Sequence, residues 1–347
     1  MEKVYKFLPF ESIKKDIDWI YSNFDKIVIS SRVRIARNIR GFPFPYNMNH
    51  HESKKIEEML TSLFFSSPFD KVFIVDISSL TDKERNILLE KHLISREFSE
   101  NYTCGKVIII PKKKATIMIN EEDHLRIQSI FPGLNLKRCL KIVNEIDDYI
   151  GEKVEYAFLP HIGYLTTCLT NVGTGLRASV LMNIPGIKFL KRDKIIFKVI
   201  EKVGIAIRGF YGEGSLPFGS IYQISSTETT GKTEEEIVEE LESVVKLLTD
   251  EEKKCIKEIE MDKNLRKKIF ITLKNGLFTK REMDKNFGDF YSLLFLAYKT
   301  KILKIGREEF KNIFFTFLSK YEKKLIYLFY KNEGKILKRI LMEKLNV

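Results

Sequence analysis

Short runs of β-branched residues recur through the first 250 positions, each followed by a stretch of helical spacing or by a turn. That alternation restricts the fold more than any other feature of the chain. Residues 26–30 (KIVIS), 71–77 (KVFIVDI), 106–111 (KVIIIP) and 115–120 (ATIMIN) read as strands, with further strands expected over 166–170 and 220–225. Helices are expected over 11–22, 52–65, 81–93, 134–149, 192–203 and from 233 to about 248. Thr81 and Thr233 each precede a Glu by three residues, which predicts a capping box at the start of two of them. Beyond about residue 250 strand signals thin out, and apolar residues recur at helical spacing between lysines, as in FKNIFFTFLSKYEKKLIYLFY. The sequence therefore predicts two domains, 1–250 (core 25–250) and an α-helical 251–347, without internal repeats.

Composition narrows the class. With 347 residues, 44% hydrophobic and 31% charged, the chain can bury a sizeable core and is not of disordered type. The first ten residues, MEKVYKFLPF, hold no apolar h-region, and no apolar run approaches ~18 residues, so neither an export signal nor a membrane helix is expected. Cys104, Cys139, Cys168 and Cys255 are widely spaced and fit reduced thiols in the cytosol rather than a zinc site. The net charge of +12 is concentrated in residues 251–347, which hold 24 Lys and Arg against 13 Asp and Glu. Such a segment is either a basic module for an acidic partner or a solvated lysine-rich helical surface; no zinc finger, basic zipper or RNP motif favours nucleic acid.

Three motifs are superficial. Gly173–Ala178 fits G-x-G-x-x-A, but a polar segment precedes it and an arginine sits within the turn, against a dinucleotide site. Gly231-Lys232-Thr233 resembles the end of a P-loop, yet Ser226 stands where its first glycine belongs, so a helix start is expected there. His50 and His51 lack metal spacing and read as loop residues.

The informative signal is arginine among glycines and carboxylates. Arg32 and Arg34 would share one face if the preceding strand continues, and two guanidiniums there either cradle an anion or form a solvated strand end. Glu121, Glu122 and Asp123 cannot all be buried unpaired; they either face a cation or make an acidic helix N-terminus ahead of Arg126. Arg177 and Arg208 each lie in a glycine-bearing loop, the second with Glu213 nearby.

Together, residues 28–45 (VISSRVRIARNIRGFPFP), 92–95 (HLIS), 119–128 (INEEDHLRIQ), 163–186 (GYLTTCLTNVGTGLRASVLMNIPG) and 208–225 (RGFYGEGSLPFGSIYQIS) resemble the guanidino (phosphagen) kinase catalytic domain. The similarity is nearest to the bacterial protein arginine kinase branch. Only 29 residues precede SSRVR, a helical segment follows the catalytic part, and the loop reads RGFYGEGS. The resemblance implies an α+β catalytic domain with an antiparallel sheet flanked by helices, plus a C-terminal α-helical domain.

It also implies roles. Arg32, Arg34, Arg126, Arg177 and Arg208 would hold the ATP phosphates, with Ser31, Val33, His92, Ala178, Ser179, Val180, Gly209 and Gly212 around the nucleotide. Glu122 and Glu213 would hold the substrate guanidinium, one acting as base, with Glu121 and Asp123 as rivals. Cys168 would sit beside the guanidinium, either as a participant or as a neutral buried thiol; the Leu169 after it replaces a proline common in relatives. No protein metal ligand is implied: Mg²⁺ would arrive with the nucleotide, and positioning with charge neutralisation would carry the transfer.

The implied activity is ATP-dependent phosphorylation of protein arginine in a cytoplasmic stress response. Its partners would be protein substrates with exposed arginine, a heat-shock repressor, a Clp ATPase, an activator protein and a second copy in a homodimer. A small free guanidine as substrate, or a non-enzymatic adaptor role, are the alternatives. One segment departs from the branch: near the end, Lys335–Ile340 (KILKRI) lacks the Asp of an R-D-x-x-R-A motif and has Lys for one Arg, which weakens bidentate phosphate recognition.

Overall fold

A computed structural model describes residues 4–6, 14–17, 23, 25–100, 104–210, 212, 214, 216–276 and 287–310. Its strands are β1 (Val4–Lys6), β2 (Val28–Arg37), β3 (Val72–Asp76), β4 (Lys106–Ile110), β5 (Ala115–Ile119), β6 (Leu125–Pro132), β7 (Phe158–Leu159), β8 (Gly163–Tyr164), β9 (Leu176–Asn183), β10 (Ile205–Arg208) and β11 (Ile221–Ser226). Helices are α1 (His50–Leu63), α2 (Asp82–Glu90), α3 (Arg96–Glu100), α4 (Leu136–Gly151), α5 (Pro185–Phe189), α6 (Asp193–Glu201), α7 (Glu234–Met261), α8 (Lys263–Gly276) and α9 (Phe287–Lys299).

Among the described residues nine strands form one sheet in the order β1-β3-β4-β5-β6-β2-β9-β11-β10. β1 and β3 run parallel at one edge, and every other neighbouring pair is antiparallel. The expected α+β architecture, an antiparallel sheet flanked by helices with a helical continuation, is the one observed.

One face of the sheet is predominantly apolar. Val33, Ile35, Ile127, Ala178, Val180 and Ile224 are buried there against α4 and the first half of α7. Helix α4 is built for this contact. Leu136, Cys139, Leu140, Val143, Ile146 and Ile150 recur at three- and four-residue spacing and are all buried. Each fully buried aliphatic side chain among them stabilises by about 1.5–3 kcal/mol relative to exposure.

Among the described residues the other face is covered only at its two ends. At one, Phe73, Val107, Ile109, Met118 and Ile130 pack under Leu88 of α2 and Phe98 of α3. At the other, Leu181, Phe210 and Ile221 pack with Ile269, Leu273, Phe290, Leu294 and Phe295 of α8 and α9. Between the two clusters lies a cleft floored by the centre of the sheet. α9 is seated by backbone against backbone: a Cβ added to Gly219 would stand 1.9 Å from Gly288 O. Beside it, Ser220 N–H donates to Ser292 Oγ at 2.7 Å. Farther along, Arg307 Nε donates to the buried Asp25 at 2.7 Å.

Both capping boxes form, at Thr81 and Thr233. The structure differs from expectation elsewhere. α7 does not stop near Leu248 but continues to Met261, because no Gly or Pro interrupts it and Lys253–Asp250 and Lys254–Glu251 pairs line its exposed side. The boundary expected after residue 250 thus falls inside a helix. Residues 166–170 are not a strand: Thr166 Oγ1 donates to Cys168 O at 2.8 Å and a 3₁₀ turn follows over Leu169–Asn171. His50 and His51 open α1 behind the Asn49 cap instead of lying in a loop. Of the helix expected over 11–22, only a 3₁₀ turn at Lys14–Ile17 is described. The stretch 311–330 and the Lys335–Ile340 segment lie outside the described residues.

Candidate active site

Side chains on a strand alternate between faces, and residues paired across strands share one. Arg34 pairs with Arg177 on β9 and with Gln128 on β6. Arg32, two residues back, pairs with Ser179 and Ile130, and Ala36, two residues on, pairs with Arg126. Ser30 pairs with Leu181, Leu181 with Gln223, and Gln223 with Arg208. Register alone therefore sets Arg32, Arg34, Arg126, Arg177 and Arg208 on the cleft face, spread over four strands.

Their charges interact. Burial draws the Arg32 guanidinium down to about 10, with Arg126, Arg177 and Arg208 adding repulsion. Burial likewise holds Arg34 well below its ordinary value, reinforced by Arg32, Arg126 and Arg177 and opposed by Glu121. Like charges gathered in a half-buried cleft are unfavourable until an anion lies among them, and guanidiniums bind phosphate in bidentate fashion. Arg32 is meanwhile oriented by Gln223 Oε1 at 3.1 Å and Ser179 Oγ at 3.3 Å. His92 lies against Phe210 with ring centroids 5.1 Å apart and planes tilted by 60°; burial pushes its imidazole down to about 3, helped by Arg32, so it is neutral. Ser30, Arg32, His92, Ser179, Phe210 and Gln223 line the same recess.

The acidic residues stand at one end of this face. Residues 121–124 form the turn between β5 and β6, not a helix N-terminus. Arg126 reaches back to both neighbours, with Nη1 2.6 Å from Glu121 Oε1 and Nη2 2.9 Å from Glu122 Oε2. Burial works against the Arg126 charge, but Glu121, Glu122 and Asp123 outweigh it and raise its pKa. Glu121 is nearly fully buried and also accepts from Ser95 Oγ at 2.6 Å. Glu122 is about one third exposed; burial, then Glu121 and Asp123, raise its pKa against the pull of Arg126 and Arg34. A partly desolvated carboxylate of this kind is a better proton acceptor than one in free water.

Asp123 is committed elsewhere. Its Oδ1 accepts from Asn38 Nδ2 and from the Thr167 N–H, both at 2.7 Å. Asn38 Oδ1 in turn accepts from His124 N–H at 2.9 Å. This buried link ties the residue after Glu122 to the residue before Cys168, so the acid turn and the cysteine turn are held as one piece. Cys168 is half-buried, with Sγ 3.0 Å from Thr170 Oγ1.

The remaining expected site residues divide. Ser179 lies on the cleft side; Gly209 and Gly212 line a recess with Arg208, and a Cβ on Gly212 would stand 3.8 Å from Gln223 Oε1. Ser31, Val33, Ala178 and Val180 do not face the cleft: alternation turns them to the apolar face. There Ser31 Oγ donates to Gly133 O at 2.7 Å. They are core residues whose backbones belong to the sheet. Arg177 lies on β9, not within the glycine turn. Glu213 lies outside the described residues. Gln223, Phe210, Ser30 and Asn38 were not anticipated; Gln223 was findable only by pairing the strands that carry Arg208 and Leu181.

The model of the ATP:guanido phosphotransferase C-terminal catalytic domain matches residues 53–255. The chain belongs to this family. Relatives include a protein-arginine kinase of Bacillus cereus (strain B4264), 43% identical over 230 residues, covering 65% of each chain. A protein-arginine kinase of Geobacillus sp. (strain WCH70) is 45% identical over 230 residues, covering 65% of this chain and 64% of the relative. The chain thus spans just under two thirds of these curated relatives. Among solved structures, lombricine kinase is 27% identical with a TM-score of 0.56, covering 69% of this chain and 70% of that one. The duplicated taurocyamine kinase of Schistosoma mansoni, at 24% identity, shares the fold with a TM-score of 0.60, over 80% of this chain and 41% of that one. No helix among the described residues is long and apolar enough to cross a membrane.

Proposed function

We propose that this chain transfers the γ-phosphoryl group of ATP to arginine side chains of proteins. The observation that carries the proposal is the convergence of five guanidiniums on one sheet face beside a partly desolvated Glu122. In this reading Arg32, Arg34, Arg126, Arg177 and Arg208 bind the phosphates and offset charge as the phosphoryl group moves. Glu122, with Glu213, aligns the substrate guanidinium and accepts its proton; Cys168 flanks the same guanidinium. Asp123 and Asn38 hold those turns in register. Mg²⁺ carried by the nucleotide would supply further charge neutralisation. The donor set suits that: guanidinium and amide groups address phosphate oxygens, and no cluster of three His, Cys, Asp or Glu side chains that would ligate a metal occurs among the described residues.

Protein arginine, rather than a small guanidine, is favoured by the names of the relatives at 43–45% identity. The finer expectations rest on the branch resemblance and belong to the same proposal. They are a cytoplasmic stress response, a heat-shock repressor, a Clp ATPase, an activator and a homodimer as partners, and a catalytic unit 1–250 served by a helical unit 251–347.

The test is incubation with Mg-ATP and an arginine-rich protein, followed by assay of acid-labile phosphate. Glu122→Gln is expected to lower the labelling rate by about 10²–10⁴ while ATP affinity is kept. Full labelling by this variant would remove Glu122 from the mechanism, and no labelling by the wild type would remove the proposal.

A further inference from the structure

Helix α6 carries two outward ridges that the phosphate site does not use. Ile195 and Val199 on the helix, with Val203 in the turn just past its end, follow one another at four-residue spacing and are 72%, 60% and 57% exposed. Lys194 and Lys198, with Lys202 at the helix C-cap, run beside them at the same spacing, also exposed, and make no ion pair among the described residues. The inner side is already used: Phe197 packs on Tyr222 with centroids 5.0 Å apart, and Ile200 is buried. Asp193 and Glu201 are the acids of this helix; Glu201 lines a cavity of about 310 Å³ together with Phe197, Ile207, Arg208 and Gly212. Single exposed aliphatics are ordinary, but three in register beside a lysine row form a contiguous, amphipathic surface.

That surface is continuous with the candidate site. The chain turns at Gly204 into β10, which among the described residues pairs only with β11 and so leaves one sheet edge open. β10 ends at Arg208, about 13 Å on, where the glycine loop begins. An extended polypeptide can therefore lie along α6 and add to this edge on its way to the phosphate face.

We propose that α6 is a docking ridge for an acidic segment, bearing aliphatic or aromatic residues, of the protein substrate. This rests on the protein-arginine reading above. Charge selects the occupant: carboxylates complement the lysine row, and apolar side chains cover Ile195, Val199 and Val203. A second copy docking through the same face would set lysines against lysines. A lipid surface would call for a longer ridge with interfacial aromatics.

The experiment uses the full chain with three probes: dephosphorylated β-casein as an acidic unfolded protein, a basic histone, and the capped tripeptide acetyl-Gly-Arg-Gly-amide. The triple variant Lys194→Glu, Lys198→Glu, Lys202→Glu and the double variant Ile195→Asp, Val199→Asp are each expected to raise KM for casein about tenfold. The tripeptide rate and the KM for ATP should stay within about twofold, since neither requires docking. The charge-reversal variant should not raise KM for the histone. Fluorescence anisotropy of labelled casein on the protein without ATP should show the same loss. That readout tests docking even if no probe is phosphorylated, which would instead count against the arginine-kinase reading. Unchanged casein KM and affinity would overturn the proposal. So would equal losses on the tripeptide, or a ridge whose loss abolishes only anionic-vesicle binding or self-association.

Discussion

Strand β2 presents arginine to both of its faces, and the two environments are opposites. Arg37 turns to the apolar side and is 1% exposed. It is fully engaged there, with Nε and Nη2 3.0 and 2.8 Å from Asp147 Oδ2, Nη1 2.8 Å from Thr174 O, and its guanidinium 3.5 Å above the Tyr164 ring. Arg32 and Arg34, on the cleft side, meet mainly other arginines. A buried cation saturated by partners holds a fold together, whereas cations crowded against one another await an anion. The same residue type, three positions apart, thus meets saturated pairing on one face and mutual repulsion on the other.

The largest effect should come from the cleft side. Arg34→Met is expected to lower phosphoryl transfer by about 10³ or more. It should leave the melting temperature of the nucleotide-free protein unchanged or higher, because it removes repulsion. Kinetics and a thermal melt on the same sample check this, and a clear drop in melting temperature would place Arg34 in the class of Arg37. The converse follows on the other face. Arg37→Met leaves Asp147 buried without its cation and should cost about 3–5 kcal/mol in a denaturant titration.

Ligand protection sharpens the contrast. ADP at a hundred times its Kd should stabilise the wild type by about 2.7 kcal/mol. Arg32→Met with Arg34→Met should abolish that protection, while Arg37→Lys should keep it even as it lowers baseline stability. The smallest effect lies just past the strand, where a neutral imidazole rather than a guanidinium holds the chain. His124 Nδ1 accepts from Ile39 N–H at 2.9 Å, and Nε2 lies 2.8 Å from Pro43 O. Burial lowers its pKa to about 4. The unfolded chain therefore takes up this proton first, and the contribution, complete above about pH 6.5, is lost as pH falls toward about 4. His124→Asn should flatten the pH dependence of stability in that window by on the order of 2 kcal/mol, read from denaturation series at several pH values.

What could be read from the chain follows from local physics. Runs such as KVFIVDI and ATIMIN declare strands because β-branched residues crowd them, and the Thr-x-x-Glu pairs declare helix starts. β6, β9 and β10 were not marked as strands, since Arg126, Gln128, Arg177 and Arg208 interrupt their apolar pattern with polar side chains. Those interruptions are the site itself. The motif strings named the arginines, but only the register of β2 against β6 and β9 separates Arg34 and Ser179, which look into the cleft, from Val33 and Ala178, which do not. The Asp123–Asn38–Thr167 link joins residues 85 and 44 positions apart, a separation no local pattern encodes.

The glycine-on-glycine seating of α9 has a practical consequence for anyone wishing to transplant this arginine-bearing sheet. A fragment cut near residue 250 would sever a helix midway and bare Leu181, Phe210 and Ile221 to water. The smallest portable unit of the described structure therefore runs through Phe310, and Gly219 and Gly288 must travel with it unchanged.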